Sequence, residues 1–318
     1  MSAGNAALKG AACIGSRGDL SFGVTLPFGD ELSSYGSLVR MARTVDACGF
    51  DSVWMADHLT GPSPNGTHHW FDVITLLCSL CSHVPRLIVG TDVLVVALRH
   101  PVLAAKMLAT LDHVSGGKLI VGTGVGYIQK EFEELGVNFA ERGSITDECL
   151  DIWKTLWSAG RASYAGRHFQ LHETVCEPKP LQRPHPPIWV GSAAPPVLRR
   201  AVRSADGWHP IYLSFDQYRT GIDHLKALAD QEGRTRELTL SYSGPYAWVG
   251  LEPEKDAKRL PLCGNPDQVI ADIERFREMG VTNLVFRPGV LSGTVSTQQV
   301  CEQIEFIATK VLPFVRRS

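Results

Sequence analysis

The chain lacks any apolar run approaching the roughly 20 residues that a membrane-spanning helix needs, so no span is expected. It has almost no excess charge of either sign. Thirty-one Lys and Arg stand against 33 Asp and Glu, a formal net charge of −2, which argues against nucleic acid or a membrane surface as a partner. Paired metal-type cysteines are missing as well. The eight cysteines are scattered, and the one C-x-x-C (Cys78, Cys81) has no second pair. The thiols therefore read as reduced, mostly buried side chains of a cytoplasmic protein, with no metal expected. A dinucleotide fingerprint is incomplete. Residues 122–126 read G-T-G-V-G, but Tyr127 occupies the place of the last glycine in G-x-G-x-x-G. This disfavours a dinucleotide-binding dehydrogenase. There is no fixed-period repeat and no clean linker. Residues 1–19 are rich in small residues without an apolar core, and read as a disordered leader rather than a signal peptide.

From residue 20 on, short apolar runs alternate with longer amphipathic segments. Strands are expected at 21–26, 52–55, 87–96, 118–122, 187–190, 207–209, 238–249 and 283–286. Helices are expected at 35–48, 71–83, 101–114, 145–158, 196–204, 215–232, 266–279 and 297–314. The strands are nearly continuously apolar, as parallel strands covered on both faces are. Eight strand–helix units suit a single (β/α)8 TIM barrel, which takes about 250 residues. The 318 residues leave room for insertions, and residues 161–184 break the rhythm as an inserted loop or hairpin. The barrel domain would span 20–318.

In such a barrel, catalytic groups sit at the C-terminal ends of the strands. That rule selects Asp57 and His58, Thr91, Asp92 and Val93, Thr123 and Gly124, Gly191 and Ser192, Trp208 and His209, and Arg287. An imidazole titrates near neutral pH and can give or take a proton. The Asp57–His58 pair could instead cap the following segment. Arg287 could hold an anion bidentately or form a salt bridge at the barrel rim. The 191–193 stretch precedes a helix start, where free N–H groups attract phosphate, or is a simple turn. His68 and His69 lack further ligands at metal spacing, so their loop reads better as a lid, with Trp70 and Phe71 packing on substrate or ring. Lys179, Arg183, Arg199, Arg200 and Arg203 read as a solvated basic surface rather than an anion site.

Four segments in order carry a family resemblance: GFDSVWMADHL (49–59), VGTDVLVVALRHP (89–101), GKLIVGTGVGYIQKEFEELGVNFAERG (117–143) and PKPLQRPHPPIWVGSAAPPVLRRAVRSADGWHP (178–210). Together they resemble the bacterial luciferase-like superfamily, in particular its branch dependent on coenzyme F-420, a deazaflavin. The resemblance implies that His58 is the proton donor or base beside the reactive ring carbon. It implies a non-proline cis peptide at Asp92–Val93 under the ring. Asp57, Thr123, Gly124 and Tyr127 would line the cofactor, and Gly191, Ser192 and Ala193 its phosphate. Trp70, Trp208, His209 and Arg287 would face a small-molecule substrate. Deazaflavin-dependent sugar-phosphate dehydrogenases carry a glutamate directly after this G-T-G; here Val125 stands there, so that reaction is disfavoured and the acid partner of His58 is unassigned. The leading expectation is hydride transfer between F-420 and a small organic molecule in a homodimer, with a flavin or F-420 reductase supplying reduced cofactor. Alternatives are a two-component monooxygenase using reduced flavin mononucleotide (FMN) and oxygen, and a non-catalytic flavin-binding barrel.

Overall fold

Burial on both faces dictates the strand sequences. A computed structural model describes residues 20–61, 69–250, 259–289 and 295–316; the 1–19 leader and His68 lie outside them. The strands are β1 (Ser21–Thr25), β2 (Ser52–Met55), β3 (Ile88–Thr91), β4 (Leu94–Val95), β5 (Leu119–Gly124), β6 (Ala162–Ala165), β7 (Gln170–Thr174), β8 (Ile188–Val190), β9 (Gly207–Trp208), β10 (Thr239–Ala247) and β11 (Asn283–Pro288). Parallel pairing runs β1–β2–β3–β5–β8–β9–β10–β11, and β11 returns to β1 with Ser21 opposite Asn283. This is a closed eight-stranded barrel. β4 continues the β3 position on the far side of Asp92–Val93, so the single run expected at 87–96 is split there. The Asp92–Val93 peptide bond is cis. β6 and β7 form an antiparallel hairpin within the stretch that breaks the sequence rhythm.

The helices are α1 (Tyr35–Ala47), α2 (Val73–Cys81), α3 (Pro101–Val114), α4 (Gln129–Glu134), α5 (Arg142–Ser158), α6 (Pro195–Ser204), α7 (Phe215–Glu232), α8 (Pro266–Glu278), α9 (Thr297–Lys310) and α10 (Leu312–Val315). Their starts are set by side chains that satisfy orphan N–H groups. Ser214 with Gln217, Asn265 with Gln268 and Ser296 with Gln299 close reciprocal capping boxes on α7, α8 and α9. Asp72 caps α2 through Thr75, so the helix starts at Val73 rather than 71. The expected last helix breaks at Val311, ahead of Pro313. α4 is absent from the expected elements because it is too short for periodicity to reveal.

Two apolar compartments result. The larger lies mostly between barrel and helices. The smaller joins Trp54, Ile120, Trp189 and Val285 from β2, β5, β8 and β11. Trp54 fits because β3 carries glycine beside it: a Cβ on Gly90 would lie 2.2 Å from the indole.

Candidate active site

At the C-terminal end of the barrel the chain leaves a cavity of about 360 Å³, within the range of small-molecule sites. Val93 enters it beside a cradle of glycines. A Cβ on Gly124 would stand 2.6 Å from Val93 Cγ2, and one on Gly191 3.1 Å from Cγ1. Thr123, Val125, Tyr127, Val190, Ser192, Ala193, Val197, Ile211 and Leu213 complete mostly apolar walls. Arg200 also lines the cavity. It is buried, with Nε donating to Asp147 at 2.6 Å and Nη2 to the Gly143 carbonyl at 3.0 Å. One buried guanidinium in an apolar hollow suits an anionic group on an otherwise apolar ligand.

Beside the cavity stands His58. Its ring packs T-shaped against Tyr127, a cavity-wall residue, with centroids 5.6 Å apart, and against Trp70 at 4.8 Å. Trp70 in turn stacks on Phe28 at 4.4 Å. His58 Nδ1 lies 3.2 Å from Oε2 of Glu131 on α4. Glu131 Oε1 accepts the backbone N–H groups of Leu59, Thr60 and Gly61 at 2.8, 3.0 and 3.1 Å. Burial alone would raise the Glu131 carboxyl. The Thr60 and Gly61 N–H donors and the His58 ring outweigh it and hold the group below its usual value.

A second polar group lies in the barrel interior. The Asp92 carboxylate accepts from Thr25 Oγ1 at 2.5 Å, Arg287 Nη2 at 2.6 Å and Ser243 Oγ at 3.0 Å, and meets His209 Nε2 at 3.2 Å. His209 is fully buried, its Nδ1 2.7 Å from Ser241 Oγ and its ring stacked on Trp54 at 4.9 Å. Burial would raise the Asp92 carboxyl, but the Arg287 guanidinium beside it, then the His209 ring and the Thr25 hydroxyl, hold it well below the carboxylate range.

The model of the luciferase-like monooxygenase family matches residues 20–250. The chain belongs to that family. Among its relatives is an F-420-dependent glucose-6-phosphate dehydrogenase of Kineococcus radiotolerans, 29% identical over 301 residues, covering 80% of this chain and 88% of the relative. Its counterpart from Amycolatopsis mediterranei is 25% identical over 298 residues, covering 79% and 88%. Among solved structures, a monooxygenase from Streptomyces bottropensis superposes with TM-score 0.77 at 23% identity, covering 92% of this chain and 99% of that one. The F-420-dependent tetrahydromethanopterin reductase of Methanopyrus kandleri gives 0.75 at 17%, covering 94% and 100%.

Within this luciferase-like barrel the residues expected at the site divide. Asp92, Val93, Thr123, Gly124, Tyr127, Gly191, Ser192 and Ala193 come together on the cavity. Asp57 does not: both its oxygens bind Arg99, at 2.6 and 2.9 Å, and Oδ2 also takes the Val95 N–H. It ties the end of β2 to the segment after β4. His209 and Arg287, expected at the substrate, are turned inward to Asp92 and line no part of the cavity. Trp208 is fully buried on Tyr218, its Nε1 donating to the Ser192 carbonyl at 2.8 Å. It thus supports the cavity loop from behind. The start of α6 also departs from expectation. Pro195 and Pro196 have no N–H, and the N–H groups of Val197 and Leu198 are taken by the Ala194 carbonyl. Among the described residues, the donors left there for an anion are the Ser192 and Ala193 N–H groups and Nη1 of Arg200, whose Nε and Nη2 are held by Asp147 and Gly143. Arg200, expected on a solvated face, is turned inward by α6, unlike its exposed neighbours Arg199 and Arg203. Glu131 is a functional candidate that no sequence pattern marks.

Proposed function

We propose that the chain is an oxidoreductase that uses F-420 to exchange a hydride with a small, largely apolar organic substrate. The observation that carries this is the glycine-cradled Val93 in an apolar cavity with one buried arginine. Such a hollow fits a planar ring bearing a phosphorylated tail. Val93, Thr123, Gly124 and Tyr127 would hold the ring, and Ser192, Ala193 and Arg200 its phosphate. Bound F-420 supplies the hydride chemistry. The chain's own part is to exclude water, orient both partners and exchange a proton at His58. F-420-dependent relatives support this cofactor. Their sugar-phosphate substrate is not carried over, because Val125 lines the cavity where that reaction would want a glutamate.

A second reading, a monooxygenase using reduced FMN and oxygen, is favoured by the apolar walls, which suit an oxygen adduct that water would destroy, and by the monooxygenase among the structural neighbours. The monooxygenase reading implies a reductase that supplies reduced flavin, and the F-420 reading implies one where the hydride passes from cofactor to substrate. No described helix is long and apolar enough to cross a membrane, and we read the chain as cytoplasmic. Exposed Leu103 and Val175 beside one surface hollow support a homodimer, and light scattering at micromolar concentration tests it, a monomer mass counting against it. The functional test is His58→Ala. Turnover should fall about 10²–10⁴-fold, the worth of a positioned acid–base group, with cofactor affinity retained. Full turnover in the variant would remove His58 from the chemistry.

A further inference from the structure

We propose that Glu131 is the positioning residue of His58, fixing the imidazole in the tautomer that carries its proton on Nδ1 and leaves Nε2 to exchange protons. The catalytic side of this inference rests on the oxidoreductase reading; the tautomer itself does not.

The Glu131 carboxylate has four partners. Oε1 gathers the N–H groups of Leu59, Thr60 and Gly61, while Oε2 is left for His58 Nδ1. An ionised carboxylate can only accept, so Nδ1 must bear hydrogen. Nε2 then offers a lone pair in the neutral ring and makes no hydrogen bond among the described residues. The ring packs T-shaped against Trp70 and Tyr127, and its side chain is 11% exposed. When Nε2 takes a proton, the imidazolium gains a buried counter-charge 3.2 Å away. Glu131 stays ionised throughout, and the proton returns by the same nitrogen. The three backbone bonds fix the chain just after His58, so one side chain sets both the path of the loop and the state of the ring. Gly61 completes that path. Its φ is +73°, and a Cβ there would fall 1.8 Å from Trp70 Nε1.

Glu131→Gln separates the anchoring of the loop from the orientation of the ring. The amide oxygen can still accept the three backbone N–H groups, whereas the NH2 presents a donor to Nδ1 and forces the proton to Nε2. Nitrogen-15 NMR of histidine-labelled protein without cofactor should show Nδ1–H at neutral His58 in the wild type and Nε2–H in the variant. Turnover should drop about 10²–10⁴-fold, as when a buried acid partner of histidine becomes an amide, while KM, cofactor affinity and Tm hold. Unchanged turnover with a folded Glu131→Gln would make Glu131 a loop anchor alone and overturn the proposal. So would an Nε2–H tautomer in the wild type, which needs no variant to fold. Failure of the wild type to bind F-420 or FMN would instead sink the oxidoreductase reading and leave the tautomer result standing.

Discussion

Replacing Arg287 with methionine removes one partner of a buried ion pair and keeps most of the side chain's volume. Arg287 is 5% exposed, and its guanidinium gives Nη2 to Asp92 at 2.6 Å and Nε to Ser243 at 2.9 Å. Stranding a buried charge costs about 3–5 kcal/mol. Thr25 and Ser243 can still donate to Asp92, which places the expected loss near the lower bound, about 3 kcal/mol. An unfolding entropy of about 2.1 cal/mol/K per residue over the whole chain turns this into a Tm drop of roughly 4–5 °C. The pH dependence has a definite sign. Asp92 is held below its ordinary value of 3.8, so its pairing contributes stability above that value and loses it as pH falls through the depressed one. The variant's deficit is therefore full at neutral pH and narrows only below 3.8, where the unfolded chain takes up a proton that the wild-type fold still refuses. Thermal and urea melts at about pH 7 and about pH 2 read both quantities. A loss under about 1 kcal/mol at neutral pH, the worth of an exposed pair, would refute the view that this network is a buried ionic core.

Gly124→Ala should push a Cβ into Val93, 2.6 Å away in the present geometry. Overpacking costs of about 1–3 kcal/mol, if felt where the ring binds, correspond to roughly 5–150-fold weaker cofactor binding; an unchanged Kd would mean that the Val93 cradle does not receive the ring. Burial, with Cys78 adding to it, pushes the Cys81 thiol up to about 12, so it should resist alkylation in the native protein and react on unfolding. Mass spectrometry of native and denatured samples checks this, and equal labelling would contradict it.

The barrel was legible because its signals are local. Apolar strands, prolines that open α3, α6 and α8, and the rule that chemistry gathers at strand ends brought Asp92, Val93, Thr123, Gly124 and Gly191 to one cavity. The side chains that depart from expectation are those whose role depends on a distant partner. Asp57 belongs to Arg99, 42 positions on, and His58 to Glu131, 73 positions on. Neither spacing follows a periodicity. His209 and Arg287 sit at strand ends, but Asp92, 117 and 195 positions away, draws them inward. Arg200 had no local signal either. At about 100° per residue it stands as far from the centre of the buried Val197, Leu198, Ala201 and Val202 stripe of α6 as exposed Arg199 does; Asp147, 53 positions before it, and the Gly143 carbonyl draw it inward.

The central claim is that the Val93 cavity binds a deazaflavin. Titrating purified protein separately with F-420 and FMN, and following quenching of each cofactor's fluorescence, tests it most directly. Saturable quenching by F-420 at one site per chain is the predicted result, retained in His58→Ala and weakened in Gly124→Ala. Saturation by FMN alone would transfer the site to the monooxygenase reading, and quenching by neither would contradict the claim.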